Sequence, residues 1–187
     1  MLKRVVDLVV ASGMLVISLP LWPVIALAIK AGSQGPVFYT QKRVGKDERV
    51  FLLIKFRSMI KNAEEHGAVW AGEDDWRITR VGRILRRCHM DEFPQLINVI
   101  KGEMSLVGPR PERPEFVEEL KKLIPEFSRR HQVKPGLTGW AQINFPYAAS
   151  SEESKKKLEY DLFYIRNRNI LFDIKILLKT VKKLFAG

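Results

Sequence analysis

Between Arg4 and Lys30 run 25 residues whose only charge is Asp7, close to the start. No other stretch limits the possible folds so strongly. As a straight helix it would reach about 38 Å at about 1.5 Å per residue, enough to cross a hydrocarbon core of about 30 Å. Pro20 and Pro23 fall in its second half, where each removes an amide donor and kinks or breaks the helix. Cations flank both ends: Lys3 and Arg4 before it, Lys30, Lys42 and Arg43 after it. Cations favour the cytoplasmic side of a membrane. Two arrangements satisfy these residues, a kinked span and a re-entrant excursion that bends at the prolines and returns. A cleaved signal peptide fits poorly, because no small-residue cleavage site follows at the right distance. So does a soluble core helix, for which 25 nearly uncharged residues are long.

The remainder of the 187 residues suffices for one compact domain with its own core. A net charge of +11 calls for an anionic partner: a phosphate-rich substrate, an anionic membrane surface or nucleic acid. No nucleic-acid motif is present, and the apolar segment argues against that class. The single cysteine, Cys88, excludes an internal disulfide. Together with His66, His89 and His131 it forms no pattern for a structural zinc site.

After a turn at 31–36, "VFYTQKRVG" and "RVFLLIKFRSM" read as two strands joined by "KDE". Residues 60–76 read as a polar surface segment with acids at Glu73, Asp74 and Asp75. In "RITRVGRILRRCH", residues 77–89, Ile78, Val81, Ile84 and Leu85 recur at helical spacing, with arginines opposite. Phe93, Leu96, Ile97 and Ile100 predict one face of a further helix, with Asp91 as N-cap, Pro94 in the first turn and Gly102 as the stop. Residues 103–114 read as a Gly/Pro-rich loop. Residues 115–130 read as a helix with Phe116, Leu120, Leu123, Ile124 and Phe127 on one face. "KPGLTGWAQIN", residues 134–144, reads as a second rigid loop. From about 152 to 185 the pattern is helical, broken near "RNRN". Its last part sets Ile174, Leu177, Leu178, Val181 and Leu184 against Lys175, Lys179, Lys182 and Lys183, suited to an anionic bilayer surface.

Asp91 and Glu92 are adjacent acids among many cations. Helical neighbours project about 100° apart, so they cannot form a symmetric dyad, but they can take two roles at one site. One carboxylate can attack phosphorus, forming an acyl phosphate, while the other holds Mg2+, which neutralises a pyrophosphate. Capping alone would explain most Asp-Glu pairs at helix starts, each acid contributing about 0.5–1 kcal/mol. Their company suggests more. "GPRP", Gly108 to Pro111, stiffens the backbone around Arg110, whose guanidinium can then clamp phosphate oxygens. "KPGLTGW" adds Lys134 and Trp140, and "KFRSM" adds Lys55 and Arg57.

The chain resembles the bacterial sugar transferases, the monotopic polyprenyl-phosphate phosphoglycosyl transferases. The resemblance runs nearly end to end, through "KRVVDLVVA", "GPVFYTQKRVG", "FLLIKFRSM", "MDEFPQLINVIKGEMSLVGPRP", "VKPGLTGWAQIN" and "YDLFYIRNRNILFDIKILLKT". It implies that Asp91 attacks the β-phosphate of a UDP-sugar and UMP leaves. A polyprenyl phosphate, undecaprenyl phosphate in bacteria, then takes the sugar phosphate, the first membrane step of glycan assembly. By the same resemblance Glu92 binds Mg2+, Arg110 meets the substrate phosphates, and Lys55, Arg57 and Arg86 match basic positions near the site. The resemblance also implies a re-entrant first helix broken at a Ser-Pro. Here Pro20 matches the proline, Leu19 holds the serine's place, Ser18 stands one residue earlier, and Pro23 is additional. "PRPERPEFV" is more like the larger hexose-type members, which carry extra transmembrane helices; a short natural member and a catalytic part of a longer protein both fit.

The expected fold is α+β and mainly helical: a re-entrant membrane hairpin over 1–30, then one cytosolic catalytic domain over 31–187 at the inner-membrane interface. That domain is expected to hold a small β element over 36–56 and amphipathic interfacial helices. The expected partners are a UDP-sugar, polyprenyl phosphate and anionic membrane, with a homodimer an open alternative to a monomer. A non-catalytic, anionic-membrane-binding scaffold would account for charge and hairpin equally well, but not for the Asp-Glu, Gly-Pro-Arg-Pro and Lys-Pro-Gly set.

Overall fold

A computed structural model of the chain describes residues 2–65, 67, 75–145 and 151–186. The fold is mainly helical with two small sheets. Helix α1 (Leu2–Ser18) passes through a 3-10 turn at Leu19–Leu21 into α2 (Trp22–Gly32). Together they make a 31-residue run long and apolar enough to cross a membrane. Its buried positions, Asp7, Ala11, Ser18, Ile25 and Ile29, form one stripe at helical spacing. Val5, Val9, Val16, Ile17, Val24 and Leu27 are exposed on the rest of its surface.

The few polar groups of this run are spent on attachment. Arg4 donates to Val99 O and Ile100 O at 2.6 Å each, placing a cation on the open carbonyls of a helix C-terminus. Asp7 accepts from Ser105 Oγ and Leu106 N, both at 3.0 Å, which accounts for the one acid in the apolar stretch. Further along, Ile25 and Ile29 pack with Phe56 and Leu85. At the proline break, Ser18 Oγ donates to Leu15 O at 2.9 Å and accepts from Trp22 Nε1 at 3.2 Å. Ser18 thus supplies the polar contact that Leu19 cannot.

The two expected strands, β1 (Phe38–Val44) and β2 (Val50–Phe56), pair as an antiparallel hairpin, with Phe38 opposite Phe56 and Val44 opposite Val50. Phe51 and Leu53 enter the main core with Leu96 and Val99. Lys55 is next on the same face by the two-residue period. The free edge of β2 is closed by a side chain: Asn98 donates to Leu52 O at 2.7 Å and accepts from Ile54 N at 3.1 Å.

Three helices differ from their periodicity. Helix α3 (Arg80–Arg87) begins after Thr79, whose hydroxyl accepts from Gly82 N at 2.9 Å. Ile78 lies in a bridge to Met59, and Ile84 is exposed. The cause is Gly82, so close to Ser58 that an added Cβ would meet its carbonyl oxygen at 1.8 Å. The buried side is therefore Gly82 and Leu85. Helix α4 (Gln95–Lys101) begins at Gln95, so Asp91 is not its N-cap. Asp91 and Glu92 sit in a preceding 3-10 turn, Met90–Glu92, entered through His89 at φ 54°. The buried side of α4 is Gln95, Leu96, Asn98 and Val99; Gly102, at φ 87°, ends it as predicted. Strand β3 (Ser105–Val107) leads to α5 (Pro114–Leu123). Pro125 disfavours helix at Ile124, which is extended, and a 3-10 segment, Pro125–Gln132, replaces the expected continuation. Val117, Leu120, Ile124 and Phe127 are buried while Leu123 is exposed.

The two loops predicted around 103–114 and 134–144 contain a second sheet: β3 pairs in parallel with β4 (Gly136–Thr138), Ser105 opposite Gly136 and Val107 opposite Thr138. Helices α6 (Trp140–Asn144), α7 (Ser151–Asn167) and α8 (Ile170–Ala186) complete the chain, with the break near Arg168 as expected. Helix α8 buries Asp173 and Ile176 and leaves Leu171, Ile174, Leu178, Val181 and Leu184 exposed. Of the predicted acidic group, Glu73 and Asp74 lie outside the described residues; Asp75 pairs with Arg77.

Candidate active site

Four elements meet around the Asp91–Glu92 pair. Glu92 comes from the 3-10 turn before α4, Lys55 from the end of β2, Arg110 from the loop after β3, and Arg86 approaches on α3. Glu92 Oε1 accepts from Lys55 Nζ at 2.9 Å and from Arg110 Nη2 at 2.7 Å. Arg86 Nε donates to Ser58 Oγ at 2.8 Å, and its charge acts on Asp91. Asp91 is buried at 6% exposure.

The two neighbouring acids titrate in opposite directions. Burial pushes the Asp91 carboxyl above the ordinary aspartate value, against the pull of Lys55, Arg86 and Arg110. Burial acts on Glu92 the same way, but Arg110 and Lys55 bond it directly and hold it well below the usual range. Burial lowers the Lys55 ammonium while Glu92 opposes the change, and Glu92 raises Arg110. One acid is therefore tightly paired and the other is buried without a direct cation bond among the described contacts.

The loop carrying Arg110 has two prolines, Pro109 and Pro111, so it forms few amide bonds of its own. Its backbone groups are met instead by the rest of the fold. Val107 O accepts from Lys3 Nζ and Tyr164 Oη, each at 3.1 Å. Gly108 N donates to Thr138 O, and Pro109 O accepts from Gly136 N, both at 2.9 Å. Arg110 O accepts from Arg130 Nη2 at 2.8 Å, and Pro111 O from Arg43 Nη1 at 3.1 Å. Glu112 O accepts from Val44 N at 2.9 Å. Gly108 and Gly136 touch backbone to backbone: a Cβ on Gly136 would lie 2.1 Å from Gly108 N. The Lys-Pro-Gly segment therefore supports the arginine loop through its backbone.

Two predicted site residues lie elsewhere. Arg57 is buried and donates to Gln34 O at 2.6 Å, Ser33 O at 2.8 Å and Ser33 Oγ at 2.9 Å, so it stitches the turn after α2. Lys134 lies with Arg4 beside Gly102, at the C-terminal end of α4; burial, aided by Arg4, lowers its pKa. Among the described contacts neither bonds the Glu92 cluster; Arg57 is taken up by the carbonyls of Ser33 and Gln34. Pro20 and Pro23 sit at the helix junction, as expected.

The sequence reading missed the support behind Arg110. Arg130, at 3% exposure, pairs with Asp161 Oδ2 at 2.7 Å and stands 3.9 Å from Glu112. Lys157 Nζ donates to Glu112 at 2.7 Å. The only local signal was Asp161 directly ahead of the run Leu162–Ile165 on α7.

Among the described residues no cluster of three or more His, Cys, Asp or Glu could enclose a metal. The chemistry of Asp91 and Glu92 still suits Mg2+, which typically takes one or two carboxylates and completes its shell with water and substrate phosphate. Both cations fall on Oε1 of Glu92, and neither is bonded to Oε2. Glu92, with Asp91 beside it, is the residue that would hold the ion.

This fold and site define a protein with a membrane-length apolar helix docked beside a compact carboxylate–cation cluster. The chain belongs to the bacterial sugar transferase family, which matches residues 1–187. It is 44% identical over 186 residues to a UDP-N-acetylgalactosamine-undecaprenyl-phosphate N-acetylgalactosaminephosphotransferase of Aeromonas hydrophila, covering 100% of this chain and 44% of that protein. It is 44% identical over 189 residues to a UDP-glucose:undecaprenyl-phosphate glucose-1-phosphate transferase of Escherichia coli K12, covering 100% of this chain and 41% of that protein. A Bacillus subtilis protein named as the uncharacterized sugar transferase EpsL is 41% identical over 188 residues, covering 100% of this chain and 88% of its own. The chain thus spans about two fifths of the length of the first two relatives.

Proposed function

We propose that the chain transfers a sugar-1-phosphate from a UDP-sugar to polyprenyl phosphate by way of a covalent enzyme intermediate. A carboxylate oxygen of Asp91 attacks the β-phosphorus of the donor. The bond from that phosphorus to the bridging oxygen breaks, and UMP leaves with the electron pair. The product is an acyl phosphate carrying the sugar. A phosphate oxygen of the polyprenyl phosphate then attacks the same phosphorus, the acyl–phosphate bond breaks, and Asp91 is restored as a carboxylate. Burial raises the basicity of Asp91, and with it the nucleophilicity of the ionised form. Lys55 and Arg110 bind the donor's phosphate oxygens and stabilise the charge that grows on them. A magnesium ion bound by Glu92 would neutralise the diphosphate so that an anionic nucleophile can approach it.

The observation that carries this reading is the contrast between adjacent acids: Glu92 bonded by two cations, Asp91 buried with no direct cation bond among the described residues. The activities by which the relatives from Aeromonas hydrophila and Escherichia coli are named support the same substrate classes. We place residues 1–30 in the membrane as a re-entrant hairpin and residues 31–187 at the cytosolic face of the bacterial inner membrane. The attachment of Arg4 and Asp7 at one end of the hairpin, and of Ile25 and Ile29 at the other, to the same body supports this. A soluble donor and a lipid-anchored acceptor meet only at such a boundary.

The test is intact-protein mass spectrometry after incubation with Mg2+ and a panel of UDP-sugars, without acceptor, alongside UMP release with acceptor. One donor should add a sugar-phosphate mass at residue 91, and Asp91→Asn should show neither adduct nor turnover. Full turnover by Asp91→Asn would remove Asp91 from the nucleophile role. Absence of UMP release across the whole panel would favour the membrane scaffold.

A further inference from the structure

Glu92 Oε1 takes two charge-assisted bonds, 2.9 Å from Lys55 and 2.7 Å from Arg110, and with them both lone-pair directions of that oxygen are filled. A phosphate oxygen would offer the same two donors the same acceptor at the same range. Arg110 keeps 38% of its side chain exposed, so a ligand can reach it, while the Glu92 side chain is at 14%. The cluster holds three cations, Lys55, Arg86 and Arg110, against two carboxylates. A diphosphate entering alone would add two negative charges and compete with Glu92 for both donors. A diphosphate entering with a divalent cation leaves the total charge unchanged and gives Glu92 a new partner.

We infer that Glu92 is an internal stand-in for a donor phosphate oxygen, occupying the anion site of the free protein until a divalent metal draws it away. This rests on the proposed transferase reading for the identity of the ligand, and deepens it. Metal and diphosphate then bind as a set: the metal releases Lys55 and Arg110 to the phosphates, and the phosphates complete the metal's shell. Neither binds well alone, so the nucleophile beside them is not exposed to a half-filled site.

The experiment is calorimetric titration of the full chain in nanodiscs with inorganic pyrophosphate in the presence of EDTA. Glu92→Gln should bind metal-free pyrophosphate at least about tenfold tighter than the unmodified protein. Asp91→Asn removes the same charge one residue away, without freeing either cation, and should change the affinity less than about threefold. Glu92→Asp keeps the charge but withdraws the oxygen by one methylene, and should tighten binding more than Asp91→Asn does. That ordering is not expected from net charge. If neither Glu92 variant exceeds Asp91→Asn, Glu92 is not a stand-in and the inference fails. Because no turnover is involved, a negative result here leaves the covalent mechanism standing, and absence of UMP release leaves this ordering standing.

Discussion

Arg130 is the residue whose loss should be felt furthest from where it occurs. It lies at 3% exposure, pairs with Asp161 at 2.7 Å, donates to Arg110 O at 2.8 Å and covers the Phe127 ring at 5.0 Å. Arg130→Met keeps much of the apolar stem but leaves Asp161, at 2% exposure, without its cation. Breaking one half of a buried pair typically costs about 3–5 kcal/mol, because a desolvated charge is left behind. Glu112 retains Lys157 at 2.7 Å, so its share should be small. For a chain of this length, 1 kcal/mol moves the melting temperature by about 2–4 °C, so a fall of about 6–20 °C is expected. Burial already raises Asp161, and removing Arg130 raises it further. The folded variant then keeps a proton that the unfolded chain loses near pH 4, so stability falls as pH rises toward the folded pKa and the loss is larger at pH 8 than at pH 5. Thermal unfolding in detergent, followed by near-ultraviolet circular dichroism at fixed scan rate, measures this. Adding Asp161→Leu should recover most of the loss by removing the orphaned acid. A loss below about 1 kcal/mol, or no recovery in the double variant, would refute the reasoning.

Lys55→Met removes the first of the cations that pull Asp91 down, so the acid limb of kcat/KM for UMP release should move to higher pH; a limb that stays or moves down contradicts this. Gly136→Ala would set a Cβ 2.1 Å from Gly108 N and 2.4 Å from Thr138 O, both backbone atoms. It should force β3 and β4 apart at a cost of about 3 kcal/mol or more, with loss of turnover, whereas Gly13→Ala, with nothing within 4 Å, should melt no lower than the unmodified chain. Burial lowers His131 to about 4, so the unfolded chain takes up a proton below about 6.5 that the folded chain refuses. Stability should therefore drop between pH 6.5 and 4 by up to about 1.4 kcal/mol per unit, and the urea midpoint of His131→Gln should lose that part of the slope.

What could be read along the chain was whatever depends on near neighbours. The uncharged run before Lys30, the proline break, the β1–β2 hairpin and the Gly102 stop follow from local hydropathy, donor loss and backbone freedom. Asp91, Glu92 and Arg110 were legible as a motif, and packing brought Glu92 and Arg110 to 2.7 Å. Periodicity was weaker where one close contact set the rotation of a helix. Gly82 against Ser58 turned α3, and the 3-10 turn through His89 moved the start of α4 past both acids. The pairing of β3 with β4 was not legible, since three-residue strands carry no period and their partners are distant in sequence. Nor was the fate of each cation. In a chain of 32 lysines and arginines the sequence offers many candidates for one anionic site. Tertiary structure sends Lys55 and Arg110 to Glu92, Arg57 to a turn, Lys134 to a helix end and Arg130 to the carbonyl of Arg110. Composition determines that such charges must find partners; only the packed backbone determines which carbonyls and carboxylates lie within reach.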